Sequence, residues 1–164
     1  MKKTGIFYGS TTGTTAGVAR RIAKALGVAE ADIHDVANTA PSVLGDYELD
    51  IIGSSTWGNG QVQRDFYDFL AGVAALDLKG HSLALFGCGD ESMSDTFNNA
   101  IGNIYHKLKD TGARFIGDFN AEGYDFKGSA ADIDGRIVGL MLDEVNRPDL
   151  TDTRIAEWVK SLKQ

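Results

Sequence analysis

The chain has 164 residues, with 16 Lys+Arg against 23 Asp+Glu and a formal net charge of −7. That length fits one domain, 1–164, with a sizeable core, and 43% hydrophobic against 24% charged residues excludes wholesale disorder. The acidity argues against nucleic acid or an anionic membrane as partner, the lone Cys88 excludes an intrachain disulfide, and no CxxC or Cys/His cluster offers a metal site.

The start, MKKTGIFYGSTTG, breaks its apolar run at once into Gly, Ser and Thr. Neither a signal peptide nor a membrane anchor is expected, and the location expected is the cytoplasm. Residues 5–8 read as a first strand, followed by a helix with Val18, Ile22 and Leu26 on one face. Residues 33–36 give a weaker second strand and 49–52 a third, which ends in Gly53-Ser54-Ser55-Thr56. A helix then carries Phe66, Phe69, Leu70 and Val73, and residues 82–86 form a fourth strand. Phe97, Ile101, Ile104 and Leu108 line the next helix. A fifth strand begins within 114–119, and a further apolar stretch follows at 137–142. The last helix is expected to start at Thr151 as its N-cap and to bury Ile155, Trp158, Val159 and Leu162.

Such alternation predicts an α/β architecture, a parallel sheet with helices on both faces. Right-handed crossovers bring the ends of the first, third and fourth strands to one edge, where ligands of such sheets bind. The Gly/Ser/Thr-rich segments 9–15, 53–60 and 87–94 all fall there. The first packs five hydroxyls and two glycines into seven residues, suiting it to an anion held by a helix N-terminus. With no Lys or Arg between Lys3 and Arg20, and with neither Walker A nor GxGxxG spacing, any phosphate would be held by neutral donors.

Ser10-Thr11-Thr12-Gly13-Thr14-Thr15 resembles the loop of flavodoxins that binds the 5′-phosphate of FMN. The resemblance extends to Ser55-Thr56-Trp57-Gly58-Asn59-Gly60. By spacing alone Trp57 either folds onto the core or covers a ligand; in flavodoxins its counterpart stacks on the isoalloxazine ring. The Gly58-Asn59 peptide matches one that flips on one-electron reduction, and glycine tolerates both states, which implies that Gly58 favours the neutral semiquinone. Gly87-Cys88-Gly89-Asp90-Glu91-Ser92-Met93-Ser94 resembles the third flavin loop, in which Asp90 accepts flavin N–H groups through its backbone or side chain. The tyrosine usual in that loop is missing. Met93 is either its substitute on the ring face or a gap-filler. Cys88 reads as a nucleophile or as an inert buried thiol, and with His34, His81 and His106 placed elsewhere the second is preferred. Asp90 and Glu91, adjacent on a loop, do not make a convincing acid/base pair.

The resemblance spans the whole chain. Glu122-Gly123-Tyr124-Asp125-Phe126, Leu142-Asp143-Glu144 and Asp149-Leu150-Thr151 match the insertion and ending of long-chain flavodoxins. Val145 stands where many relatives carry Asp, Asn146-Arg147 where they carry Asn-Gln, and Thr96 and Asn98 where Asn and Gln are more usual. The implied fold is a flavodoxin-like three-layer sandwich, a five-stranded parallel sheet in the order 2-1-3-4-5 with an insertion splitting strand 5. The implied cofactor is FMN, held by Ser10, Thr11, Thr12, Gly13, Thr14, Thr15, Ser55, Thr56, Trp57, Gly58, Asn59, Gly60, Cys88, Gly89, Asp90, Met93, Thr96 and Asn98.

The implied role is a low-potential carrier of single electrons, a monomer without substrate turnover of its own. It would pass electrons between a reductase, such as a flavodoxin/ferredoxin-NADP reductase or another oxidoreductase donor, and acceptor proteins with basic docking faces. The alternatives are an FMN-dependent NAD(P)H:quinone reductase on the same fold and a flavin-free interaction module. Residues 62–152 hold 8 Lys+Arg and 16 Asp+Glu, a net of −8, and the rest +1. Asp65, Asp68, Asp90, Glu91, Asp95 and Asp125 form either a docking rim or merely a solvated face.

Overall fold

Each central strand sends alternate side chains to two different cores. In the computed structural model, β1 (Lys2–Gly9) is followed by α1 (Thr14–Leu26), β2 (Ile33–Asp35), β3 (Tyr47–Trp57), β4 (Gln61–Val62) and α2 (Phe66–Ala74). Then come β5 (Ser82–Cys88), α3 (Asn99–Leu108), β6 (Arg114–Ile116), β7 (Asp132–Ile133), β8 (Arg136–Ile137), β9 (Gly139–Leu142) and α4 (Thr151–Leu162). The structure describes residues 2–9, 13–57, 61–62, 66–90, 98–119 and 129–163, with the backbone alone at 2, 57, 61 and 62. The expected helical residue Phe97 lies outside them.

Parallel pairing gives the order β2-β1-β3-β5-β6, the expected 2-1-3-4-5 once the short β4 is set aside. Ile6, Ile51, Ala84, Phe86 and Leu140 point to one face, where Val18 and Ile22 of α1 and Ile155, Trp158 and Val159 of α4 cover them. Phe7, Ile52, Leu83, Leu85 and Met141 point to the other, under Phe66, Phe69 and Val73 of α2 and Ile101, Ile104 and Leu108 of α3. Each Ile, Leu, Val, Phe or Met among them, when fully buried, contributes roughly 1.5–3 kcal/mol of apolar transfer. Three layers result.

The fifth position of the sheet is filled twice. β6 pairs with Ser82–Ala84 of β5, and β9 pairs with the remainder, Leu85 to Cys88. Between them Gly117, at φ +83°, turns the chain away, and its carbonyl accepts the Trp158 Nε1–H at 3.0 Å. The apolar stretch 137–142 is therefore not one strand. Ile137 belongs to a hairpin with Asp132–Ile133 and bridges to Phe119, while residues 139–142 enter the main sheet.

Two expectations change. Gly53-Ser54-Ser55-Thr56 does not end the third strand; β3 continues through it, because Gly53 and Ser54 pair with β1 and the run to Ser55 pairs with β5. Gly53 is required there by close approach, since a Cβ would collide with the Phe86 ring. Thr151 is not the N-cap of α4 but its first residue. A 3₁₀ turn, Pro148–Leu150, leads into it with Leu150 at the cap, so the buried Thr151 hydroxyl makes no cap bond.

Toward the start of β3, across from Gly5 and Leu83, lies Asp50, fully buried. Neither carboxylate oxygen finds a hydrogen-bond partner among the described residues, and His81 Nδ1 stands 3.7 Å away. Burial, with Asp46 adding repulsion, pushes its carboxyl up to about 8.

Candidate functional site

Register alone assembles the site. Gly9 lies opposite Ser54, Ser55 opposite Cys88, and Cys88 opposite Leu142, so β1, β3, β5 and β9 all finish side by side. The segments that follow them open on this edge, as the parallel topology predicts.

From the first segment the structure describes Gly13, Thr14 and Thr15; Ser10, Thr11 and Thr12 lie outside the described residues. Gly13 caps α1 at φ 92°, a left-handed geometry that glycine takes without strain, with open space where a side chain would be. The first turn of α1 carries no acidic residue of its own to offset the positive end of its dipole. Thr14 is exposed, whereas Thr15 is 1% exposed and its hydroxyl finds no oxygen or nitrogen partner among the described residues. A buried hydroxyl beside a helix N-terminus is a fitting donor for an anion such as a phosphate.

The described part of the second segment, residues 53–57, is held more firmly than a loop. Thr56 and Trp57 pair antiparallel with Val62 and Gln61, and Ser54 Oγ donates to the Ser55 carbonyl at 2.8 Å. The Thr56 hydroxyl accepts the Ala100 N–H at 3.2 Å, so it caps α3 as well as bordering the site. Ser55 and Thr56 are partly exposed. The Trp57 side chain and the whole of Gly58, Asn59 and Gly60 lie outside the described residues, so both readings of Trp57 stand as they were.

In the third segment Cys88 is 6% exposed, and burial pushes its thiol up to about 12 despite the neighbouring Thr15 hydroxyl. A thiol so buried and so shifted is poorly suited to act as a nucleophile. Gly89 N–H donates to the Leu142 carbonyl at 2.9 Å. Asn98, expected among the direct contacts, is fully buried: its Nδ2 donates to that same carbonyl at 3.2 Å, and it packs behind Gly87 and Gly89. It supports the loop from within, because its left-handed backbone at φ 53° turns the side chain under β5 to open α3. Glu91, Met93, Asp95 and Thr96 lie outside the described residues, as do Asp65 and Asp125. Of the acidic rim the structure describes Asp68, which is exposed on α2, and Asp90.

One contact at this edge has no counterpart in the sequence reading. Asn146, in the turn after β9, donates through Nδ2 to Asp90 Oδ1 at 2.6 Å and to Asp143 Oδ2 at 2.8 Å. Asp143 is fully buried, and its Oδ1 accepts the N–H groups of Val145 and Asn146 at 2.9 and 2.8 Å. Beside it Arg21 of α1 binds Glu144 at 2.6 Å and Asp152 at 2.6 Å, tying this turn to α1 and α4. The Asp-x-x-Asn spacing was visible as an Asx-type turn, but its partner 56 residues away was not.

Comparison with known proteins bears on this edge. A family profile described as Flavodoxin matches residues 6–158. The chain is 40% identical over 163 residues to a flavodoxin of Nostoc, covering 99% of this chain and 96% of that one. It is 40% identical over 167 residues to flavodoxin 1 of Escherichia coli, covering 100% and 94%. The crystal structure of Fusobacterium nucleatum flavodoxin bound to flavin mononucleotide superposes with a TM-score of 0.90 at 28% identity, covering 99% of this chain and 98% of that one.

Proposed function

The chain belongs to the flavodoxin family, and on that premise we propose that it holds FMN across the ends of β1, β3 and β5 and passes single electrons between redox proteins. It is an electron carrier, not an enzyme with a substrate of its own, and the relatives favour this over the quinone reductase alternative. FMN, when bound, supplies the electron storage; the protein supplies position, electrostatics and access.

The observation that carries the assignment of the site is the buried Thr15 hydroxyl at the N-terminus of α1, which lies beside the Cys88 thiol and has no oxygen or nitrogen partner among the described residues. It supports a phosphate seat made of Ser10, Thr11, Thr12, Gly13, Thr14 and Thr15. Ser55, Thr56, Trp57, Gly58, Asn59 and Gly60 would flank one side of the ring, and Cys88, Gly89, Asp90 and Met93, with Thr96, the other. Asn98 acts behind that loop. The divided fifth strand supports the long-chain type.

The finer picture is a cytoplasmic monomer that docks through its acidic side against basic faces of a reductase and an acceptor. No helix among the described residues is long and apolar enough to cross a membrane. The purified protein should show the visible absorption of bound FMN, pass through a distinct one-electron spectrum on stepwise reduction, and not consume NAD(P)H alone. A colourless protein that takes up no FMN sinks the reading; unaided turnover of NAD(P)H with a quinone revives the reductase.

Thr15→Val separates the seat from the fold. Losing a buried hydroxyl whose described neighbour is a thiol should leave the flavin-free protein about as stable as before, while FMN affinity falls about tenfold. Fluorescence titration of FMN and urea unfolding of the flavin-free protein check the two halves.

A further inference from the structure

We propose that Asn146 is a positioning residue for the flavin site: its amide fixes the Asp90 carboxylate, and through it the strength of FMN binding. This rests on the reading of Asp90 as part of that site.

An –NH2 group has two hydrogens, and Asn146 gives one to Asp90 and the other to Asp143, so its donor capacity is fully used. The anchor at the Asp143 end is rigid. That carboxylate is fully buried, its other oxygen holds two backbone N–H groups, and the Asp143 carbonyl accepts the Arg147 N–H at 3.0 Å. Asp143 follows directly on Leu142, whose carbonyl already holds Gly89 and Asn98. The backbone at Gly89 is thus pinned to the end of β9 by a hydrogen bond, and the side chain of Asp90 is pinned by Asn146 to the turn that follows β9. Charge-assisted bonds of this kind are about twice as strong as neutral ones.

The donor type is what the arrangement requires. With an acceptor at position 146, Asp90, Asp143 and the new group would confront one another. Glu144 is engaged with Arg21, and Arg147 is the remaining charged group of the turn. Asn146→Asp keeps the shape and inverts the chemistry. Ionisation of the added carboxyl, near pH 4 in an exposed reference state and higher beside other carboxylates, would then push Asp90 away.

The test titrates FMN into the flavin-free wild type, Asn146→Ala, Asn146→Asp, Asp90→Ala and the Asp90→Ala/Asn146→Ala double variant from pH 5 to 8, alongside urea unfolding of each. Expected for Asn146→Ala is an affinity about tenfold weaker, vanishing in the Asp90→Ala background. Expected for Asn146→Asp is a larger loss at pH 8 that recovers toward pH 5. The proposal is overturned if the Asn146 variants bind like wild type, if the Ala effect persists without Asp90, or if affinity merely follows unfolding free energy. Should Asn146→Asp fail to fold, the Ala cycle decides. Failure of the wild type to bind FMN would overturn the functional reading itself, a result distinct from wild-type binding with unaffected variants.

Discussion

Cys88 sits between two glycines with its thiol buried and pushed up to about 12, so the thiolate that attacks alkylating agents is scarce at pH 8. Iodoacetamide should leave the folded protein unmodified for hours and label it promptly in urea, as mass spectrometry would show. Asp50 is perturbed in the same direction with a different consequence. The folded chain keeps its proton up to about pH 8, whereas the unfolded chain releases it near pH 4. Folding therefore takes up a proton across that window, and this group's contribution is lost as pH rises through it, flattening above 8. His81, Asp46 and Tyr47 are the groups that face it and modulate the size of the loss. Asp50→Leu should stabilise the flavin-free protein by about 1–3 kcal/mol at pH 8 and by progressively less toward pH 4, read from urea midpoints.

Among the elements, β3 and β5 place Phe86 opposite Gly53, and the Phe86 ring occupies the space where a Gly53 side chain would be. Gly53→Ala must displace that ring or part the strands, at a cost of about 1–3 kcal/mol in urea unfolding. The apolar cores of the strands were legible in the sequence because Ile6/Phe7, Ile51/Ile52 and Ala84/Leu85 alternate between two faces, and α1 was legible from Val18 and Ile22. The ends were not. Gly53-Ser54-Ser55 reads as a loop by composition and becomes strand only through pairing with neighbours distant in the chain. Thr151 misled for a related reason: its residue type favours a cap, but Pro148 starts a turn that moves the cap to Leu150. Of the candidate site, the hydroxyl-rich and glycine-rich segments stand out in the sequence, since their chemistry is local. The Asp143–Asn146–Asp90 contact could not, because it exists only once β9 lies beside β5.

For the molecule as a whole, the charge is unequal: a net of −8 resides in residues 62–152. A carrier that meets its partners transiently gains encounter rate from such a field, and the gain shrinks as the Debye length falls from ~30 Å at 0.01 M salt to ~10 Å at 0.1 M. Stopped-flow reduction by a basic-faced reductase should slow steeply over that range, and a rate indifferent to salt would remove the steering. The doubled fifth strand has a different consequence for the intact chain. Since β6 and β9 each hydrogen-bond to β5 on their own account, covalent continuity between them is not what keeps the sheet in order. The hairpin tip at Asp134 and Gly135 is exposed, and the described residues beyond it join the rest of the chain through β8, which pairs with β7, through β9 in the main sheet and through α4 in the core. Separately produced pieces ending at 134 and starting at 135 should recombine into one FMN-binding particle, with the smaller piece delivering Asp143 and Asn146 as a removable clasp.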